Sequence, residues 1–200
     1  MKFSQYVSFE AAKEQCRCCS VGLIYDKVVL SSGCKGNPTV LILGEAPGKD
    51  EVIGGEPFVG RAGKLLRSVL CKYKFRKTNT LISNIIPCRP ENNKFPQDTE
   101  LVKRCCNKWL ANEISLTKPD YMLLLGSQPL KYILNMSGIT KLRGEWYNFS
   151  SDELGKVIKC MPTFHPSYVL RKEHMTKGKI IKQNFTNDIK TVAKEAGFII

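Results

Sequence analysis

No apolar run in this chain approaches the roughly 20 residues that a membrane-spanning helix needs; the longest are short stretches such as Val40 to Leu43 and Tyr121 to Leu125. A membrane span is therefore excluded. The opening MKFSQYVSFEAAKEQC has no apolar core of the kind that marks a secretory signal, so an intracellular, reducing compartment is expected. Internal repeats and low-complexity tracts are also missing. Acidic residues are few: 18 Asp and Glu face 31 Lys and Arg, a net charge of +13. Such an excess suits a polyanion better than a neutral metabolite, and nucleic acid is the first candidate. With 42% apolar and 24% charged residues the composition is that of a globular protein. The 200 residues are expected to form one domain, 1–200, with residues 1–35 as a Cys-rich, irregular N-terminal arm.

What the chain does have is nine cysteines, at 16, 18, 19, 34, 71, 88, 105, 106 and 160. An odd number without a secretory signal argues against a disulfide framework and for metal ligation by some of them. Four apolar runs read as strands: Thr39 to Gly44, Thr80 to Ile86, Tyr121 to Gly126 and Val157 to Thr163. Their continuous apolar character suits strands covered on both faces. Helical spacing fills the intervals, with Leu65, Leu66, Val69, Leu70 and Tyr73, then Leu101, Cys105, Trp109, Leu110 and Ile114. Leu130, Ile133 and Leu134 follow, with Ser127 as N-cap, and Phe185, Ile189, Val192 and Ala196 close the chain. This alternation predicts a three-layer α/β/α domain with a central four-stranded, mostly parallel sheet.

In such sheets the ligand crevice lies beyond the carboxyl ends of the strands. Four unusual endings converge there: GEAPG (Gly44 to Gly48), Asn84, the pair Gly126 and Ser127, and FHPS (Phe164 to Ser167). Taken in order, GEAPG, PFVGRAGKLL (Pro57 to Leu66), SNIIPCRPENN (Ser83 to Asn93) and HPSYVLR (His165 to Arg171) resemble the iron-sulfur, family 4 branch of the uracil-DNA glycosylases. The resemblance spans about Cys16 to Arg171. It implies an enzyme that flips uracil out of DNA, hydrolyses its N-glycosidic bond and leaves an abasic site, acting as a monomer without strand cleavage.

The residues support that chemistry on their own terms. A base to be cut from its sugar must leave the stack and be read on its exposed edge. A side-chain amide carries both a donor and an acceptor, matching the carbonyl and imide N–H of uracil; Asn84 fits, as does the alternative of a strand Asn capping a turn. Phe58 could stack on the base, or serve as core. Bond cleavage leaves negative charge on uracil, so a donor at its 2-carbonyl oxygen matters; His165 is the candidate, since His174 sits in the charged stretch RKEHMTKGK. Glu45 is the candidate for placing water or stabilising the sugar cation. Related families carry an Asp where Ala46 stands, which leaves the general base open between Glu45, Glu51 and none. Val52 departs from the family, which often has an acid there. Gly48 and the GRAG segment offer backbone N–H groups to phosphates, and Ser167 a hydroxyl. Tyr168, Val169 or Leu170 could form a wedge, with Leu170 favoured, and Arg171 and Lys172 begin a basic run that could track DNA.

By the same resemblance Cys16, Cys19, Cys88 and Cys106 are the ligands of a [4Fe-4S] cluster tying the N-terminal arm to the domain. Cys18 and Cys105 neighbour two of these positions, and zinc would accept the same sulfurs. Two rivals remain: a uracil-DNA-binding protein that does not turn over, and a zinc-bearing DNA adaptor. The covalently trapping subfamily carries a basic, His-containing insert before the second-strand cysteine region, which this sequence lacks.

Overall fold

The computed structural model describes residues 2–17, 27–96, 100, 106–152 and 154–200, with backbone alone at 2–4 and 106–108. Six strands form one sheet: β1 (Ser32–Gly33), β2 (Val40–Gly44), β3 (Thr80–Asn84), β4 (Tyr121–Leu125), β5 (Tyr147–Phe149) and β6 (Ile158–Thr163). Their order is β1-β3-β2-β4-β6-β5. The four inner strands are parallel, as their apolar runs imply, and β1 and β5 pair antiparallel at the two edges. The expected four-stranded sheet is thus corrected to six. The edge strands are two and three residues long and carry polar residues, so no apolar run marks them.

Side chains alternate between two packed layers, as the pleat requires. Leu41, Leu43, Met122 and Leu124 pack with Trp109, Leu110 and Ile114 on one face. Val40, Ile42, Leu123 and Leu125 pack on the other with Leu66, Val69 and Leu70 of the helix Arg61–Lys72 and Phe185, Ile189 and Val192 of the helix Gly178–Glu195. Both faces are covered, which is why these strands are apolar at successive positions. Phe185 is completely buried, so its truncation to Ala would cost about 3–5 kcal/mol. Ser127 is the first residue of its helix and Gly126 the N-cap, one position before the expected cap. In the segment before β4, Cys106–Ala111 is a π-helical turn leading into the α-helix Asn112–Thr117, while Leu101 and Cys105 lie outside the described residues.

The arm is not irregular throughout, because Lys2–Glu14 is a helix. Its buried face carries Tyr6, Glu10 and Lys13, polar groups that a search for apolar periodicity passes over. Tyr6 and Lys13 are held by Glu113, which is fully buried, while Glu10 pairs with Lys35. The Tyr6 hydroxyl donates to Glu113 Oε1 at 2.7 Å, Ser31 donates to the same oxygen, Ser83 donates to Oε2 at 2.6 Å, and Lys13 Nζ lies 3.5 Å away. Burial alone would push the Glu113 carboxyl up. Lys13 and the three hydroxyls outweigh it and hold the group below its ordinary value. Among the described residues no helix is long and apolar enough to cross a membrane.

Candidate active site

The carboxyl ends of the four parallel strands surround a cavity of about 630 Å³. Gly44 and Asn84 are register partners at the tips of β2 and β3. A Cβ at Gly44 would overlap both Asn84 Oδ1 and the Phe58 ring, so only glycine lets the amide and the aromatic face come together here. At the other two tips, the Gly126 N–H donates to the Thr163 carbonyl at 2.8 Å. That bond sets the Gly126–Ser127 corner against the Phe164–His165 turn.

Asn84 is 7% exposed, and its Oδ1 is buried with no hydrogen-bond partner among the described residues. A buried carbonyl left without a donor is costly, on the order of 1–3 kcal/mol, unless a ligand supplies one. Phe58 sits at φ +56°, in the left-handed region where a bulky side chain is strained. Arg67 holds it there, donating from Nε to the Phe58 carbonyl at 2.9 Å and from a terminal nitrogen to the Pro57 carbonyl at 2.8 Å. The Phe58 and His165 rings lie 6.0 Å apart between centroids.

His165 caps the helix Pro166–Lys172, and its Nδ1 accepts the Ser167 backbone N–H at 3.2 Å. A nitrogen that accepts carries no proton, so the ring's N–H is on Nε2. The Ser167 hydroxyl lies 2.8 Å from Nδ1 and accepts from Arg171 at 3.1 Å. Burial first, and the Arg171 charge second, push His165 down to about 4, so the imidazole is neutral near pH 7. Glu45 moves up, through burial that Arg171 partly offsets. Glu51 is engaged differently. Its carboxylate accepts the backbone N–H groups of Gly48 at 3.1 Å, Val59 at 3.0 Å and Gly60 at 2.9 Å, welding the GEAPG turn to the Phe58 loop.

The family model for the uracil DNA glycosylase superfamily matches residues 30–190. The chain belongs to that superfamily. Among similar proteins, the type-4 uracil-DNA glycosylase of Thermotoga maritima is 33% identical over 91% of this chain and 92% of its own length. Those of Archaeoglobus fulgidus and Sulfurisphaera tokodaii are 31% and 33% identical, over 79% and 89% of this chain and 77% and 82% of theirs.

Of the residues singled out from sequence, Glu45, Ala46, Gly48, Glu51, Phe58, Asn84, His165, Ser167 and Arg171 all line this glycosylase-family cavity. Leu170 and Lys172 share the His165 helix without lining it; Leu170 is half-buried, and Val169 is in the core at 2% exposure. The sequence reading missed Thr140 and Ile139, which line the cavity from a one-turn helix, Ile139–Leu142, after Gly138. That helix is too short for periodicity to reveal. It also missed the support behind His165. Arg143 donates twice to the Asp188 carboxylate, once at 2.7 Å, while Thr163 donates to it at 2.6 Å and the guanidinium lies 5.7 Å from the Phe164 ring centre.

Cys16 and Cys88 lie across the sheet from Phe58. Cys16 and Cys88 are 9% and 5% exposed and share one core cluster with Trp109, whose indole N–H donates to the Cys16 sulfur at 3.2 Å. Val28 bridges Cys88 in antiparallel fashion. Two buried sulfurs in one apolar cluster, one receiving an N–H, have the chemistry of thiolate ligands. Cys19 lies outside the described residues, as does the side chain of Cys106. Among the described residues no group of three or more His, Cys, Asp or Glu could hold a metal ion.

Proposed function

We propose that this protein is a monofunctional uracil-DNA glycosylase of base excision repair, releasing free uracil from DNA and leaving an abasic site. The observation that carries this reading is the buried Asn84 carbonyl oxygen without a donor, beside Phe58 in the cavity. The imide N–H of an extruded uracil supplies that donor, and the amide N–H₂ is then free for the adjacent carbonyl. Cytosine offers an unprotonated ring nitrogen and an amino group in those places and leaves both ends of Asn84 unmatched. Sites built on such pairing discriminate strongly. Phe58 stacks on the base plane, worth about 1–3 kcal/mol.

Departure of uracil as an anion places charge on its 2-carbonyl oxygen. The Nε2–H of His165 donates to that oxygen, and because the ring is neutral it adds no repulsion toward the cationic sugar. Glu45, which borders the same cavity, orients water or faces the sugar cation. Glu51 acts by organising the loop rather than by taking a proton, since three amides occupy its carboxylate. Among the described residues no lysine lines the cavity, in keeping with a reading that has no Schiff base and no strand cleavage. Gly48 and Ser167 at its rim, and Leu170, Arg171 and Lys172 on the adjoining helix, would meet the DNA. We assign Cys16, Cys19, Cys88 and Cys106 as ligands of a [4Fe-4S] cluster that fastens the arm to the domain; buried Cys16 and Cys88 support it. The protein acts as a monomer.

The deciding experiment is incubation with a uracil-containing oligonucleotide and a matched thymine control, then heating in alkali. Cleavage at uracil alone supports the proposal, and an intact uracil strand after prolonged incubation refutes it.

A further inference from the structure

Arg171 begins the basic run that sequence analysis gives to the DNA backbone, yet it lines the cavity. It lies one turn beyond Ser167 in the helix Pro166–Lys172, the spacing at which two helical side chains meet. Its guanidinium donates to Ser167 Oγ at 3.1 Å, and Ser167 Oγ lies 2.8 Å from His165 Nδ1. A guanidinium can only donate, and it stays charged at every working pH. The Ser167 oxygen accepts from Arg171, and because Nδ1 already accepts the Ser167 backbone N–H and carries no proton, the hydroxyl donates to it. Both bonds of this chain run one way, from Arg171 through Ser167 to His165.

We propose that Arg171 is a positioning residue of the reaction: through the Ser167 hydroxyl it holds His165 as the neutral ring with its proton on Nε2. An imidazolium would carry a proton on Nδ1 facing the Ser167 N–H and a positive charge one hydroxyl away from the Arg171 guanidinium. With Arg171 gone, no cation stands behind the Ser167 oxygen, and a charged ring is opposed less. The remaining charges around the ring do not substitute for Arg171. Glu45 in the loop after β2 and Glu51 in the helix Lys49–Gly54 line the same cavity, with Glu51 occupied by backbone amides. Arg143 lies behind Phe164, committed to Asp188. Arg61, on the neighbouring helix, acts on Glu173. Arg171 is the cation that the Ser167 hydroxyl links to the ring.

This inference rests on the glycosylase reading of the cavity, but its first test needs no turnover. The chain has only two histidines, so ¹⁵N-histidine NMR resolves His165 once His174→Gln identifies the other signal. The wild-type ring is expected to show its proton on Nε2 and to titrate near the value of about 4 given above. In Arg171→Gln the midpoint should move up by about one pH unit or more, a roughly tenfold gain in proton affinity. Relative to wild type, the kcat on a uracil oligonucleotide should then fall about threefold more at about pH 4.5 than at about pH 8, and Arg171→Lys should restore part of the loss. A wild-type titration and pH profile in Arg171→Gln, with only weaker and less salt-sensitive binding of uracil-free DNA, would overturn the proposal and leave a phosphate contact. Should Arg171→Gln not fold, Ser167→Ala removes the relay alone, and an unchanged His165 titration there overturns it equally. Absence of turnover in the wild type refutes the glycosylase reading while the NMR result on Arg171 still stands.

Discussion

Acid should destabilise this protein through His165, and His165→Gln should abolish that share of the pH dependence. In the folded state, burial first and Arg171 second hold the ring at about 4, against an ordinary 6.5. Between those values the unfolded chain binds a proton that the folded chain refuses. Linkage then makes stability rise with pH, so the contribution is complete above 6.5 and is lost as pH falls through the window toward 4. At about 1.4 kcal/mol per pH unit the whole window amounts to about 3 kcal/mol, of which about 2 kcal/mol is gone by about pH 5. The measurement is urea unfolding of wild type and His165→Gln at matched ionic strength between about pH 8 and pH 5, with His174→Gln as control. The gap between wild type and His165→Gln should change by about 2 kcal/mol across that range in the direction of a relatively more stable variant in acid. Parallel curves would refute the reasoning, because they would mean the ring accepts a proton as readily in the fold as outside it.

Asn84→Asp replaces an amide donor with a second acceptor, and kcat/KM on uracil should drop by about 100-fold or more, as for other sites whose polar partner is lost; single-turnover assays with uracil and cytosine substrates read it. Asp188→Ala strands the Arg143 guanidinium, whose side chain is 18% exposed, and should cost about 3–5 kcal/mol in urea unfolding, whereas the double replacement Arg143→Met/Asp188→Leu should cost much less than the single. Cys16→Ser and Cys88→Ser should each lose brown colour and bound iron on metal analysis; colourless wild-type protein with stoichiometric zinc would replace the cluster assignment with the zinc alternative. Affinity for uracil-containing DNA should fall with salt, with a log–log slope of about −0.9 for each phosphate neutralised, and a flat response would deny the excess of basic residues a role on DNA.

The inner sheet was legible because β2, β3, β4 and β6 are covered on both faces, and burial of both sides of a strand writes itself as an unbroken apolar run. The edge strands and the N-terminal helix were not. That helix is anchored by Tyr6 and Lys13 through Glu113, more than 90 residues away, and a polar network closed only by the fold leaves no periodic trace. Loop residues such as Asn84, Phe58 and His165 could be picked out because they cluster in short blocks at strand ends. Arg171 was assigned to a charge run although its spacing from Ser167 already allowed the contact seen. Thr140 and Ile139 reach the cavity by the path of the chain after Gly138, which the residues themselves do not announce.

Three backbone amides fastened to one Glu51 carboxylate, and two carbonyls clasped by Arg67, leave the walls around Phe58 little to rearrange when a nucleotide arrives. The receptacle is finished in advance, so the slow event in locating a lesion belongs to the duplex, which must breathe open before anything can enter. A catalyst of this kind works as a rigid mould scanning a flexible substrate, and weakly paired mismatches should be captured sooner than well-stacked ones.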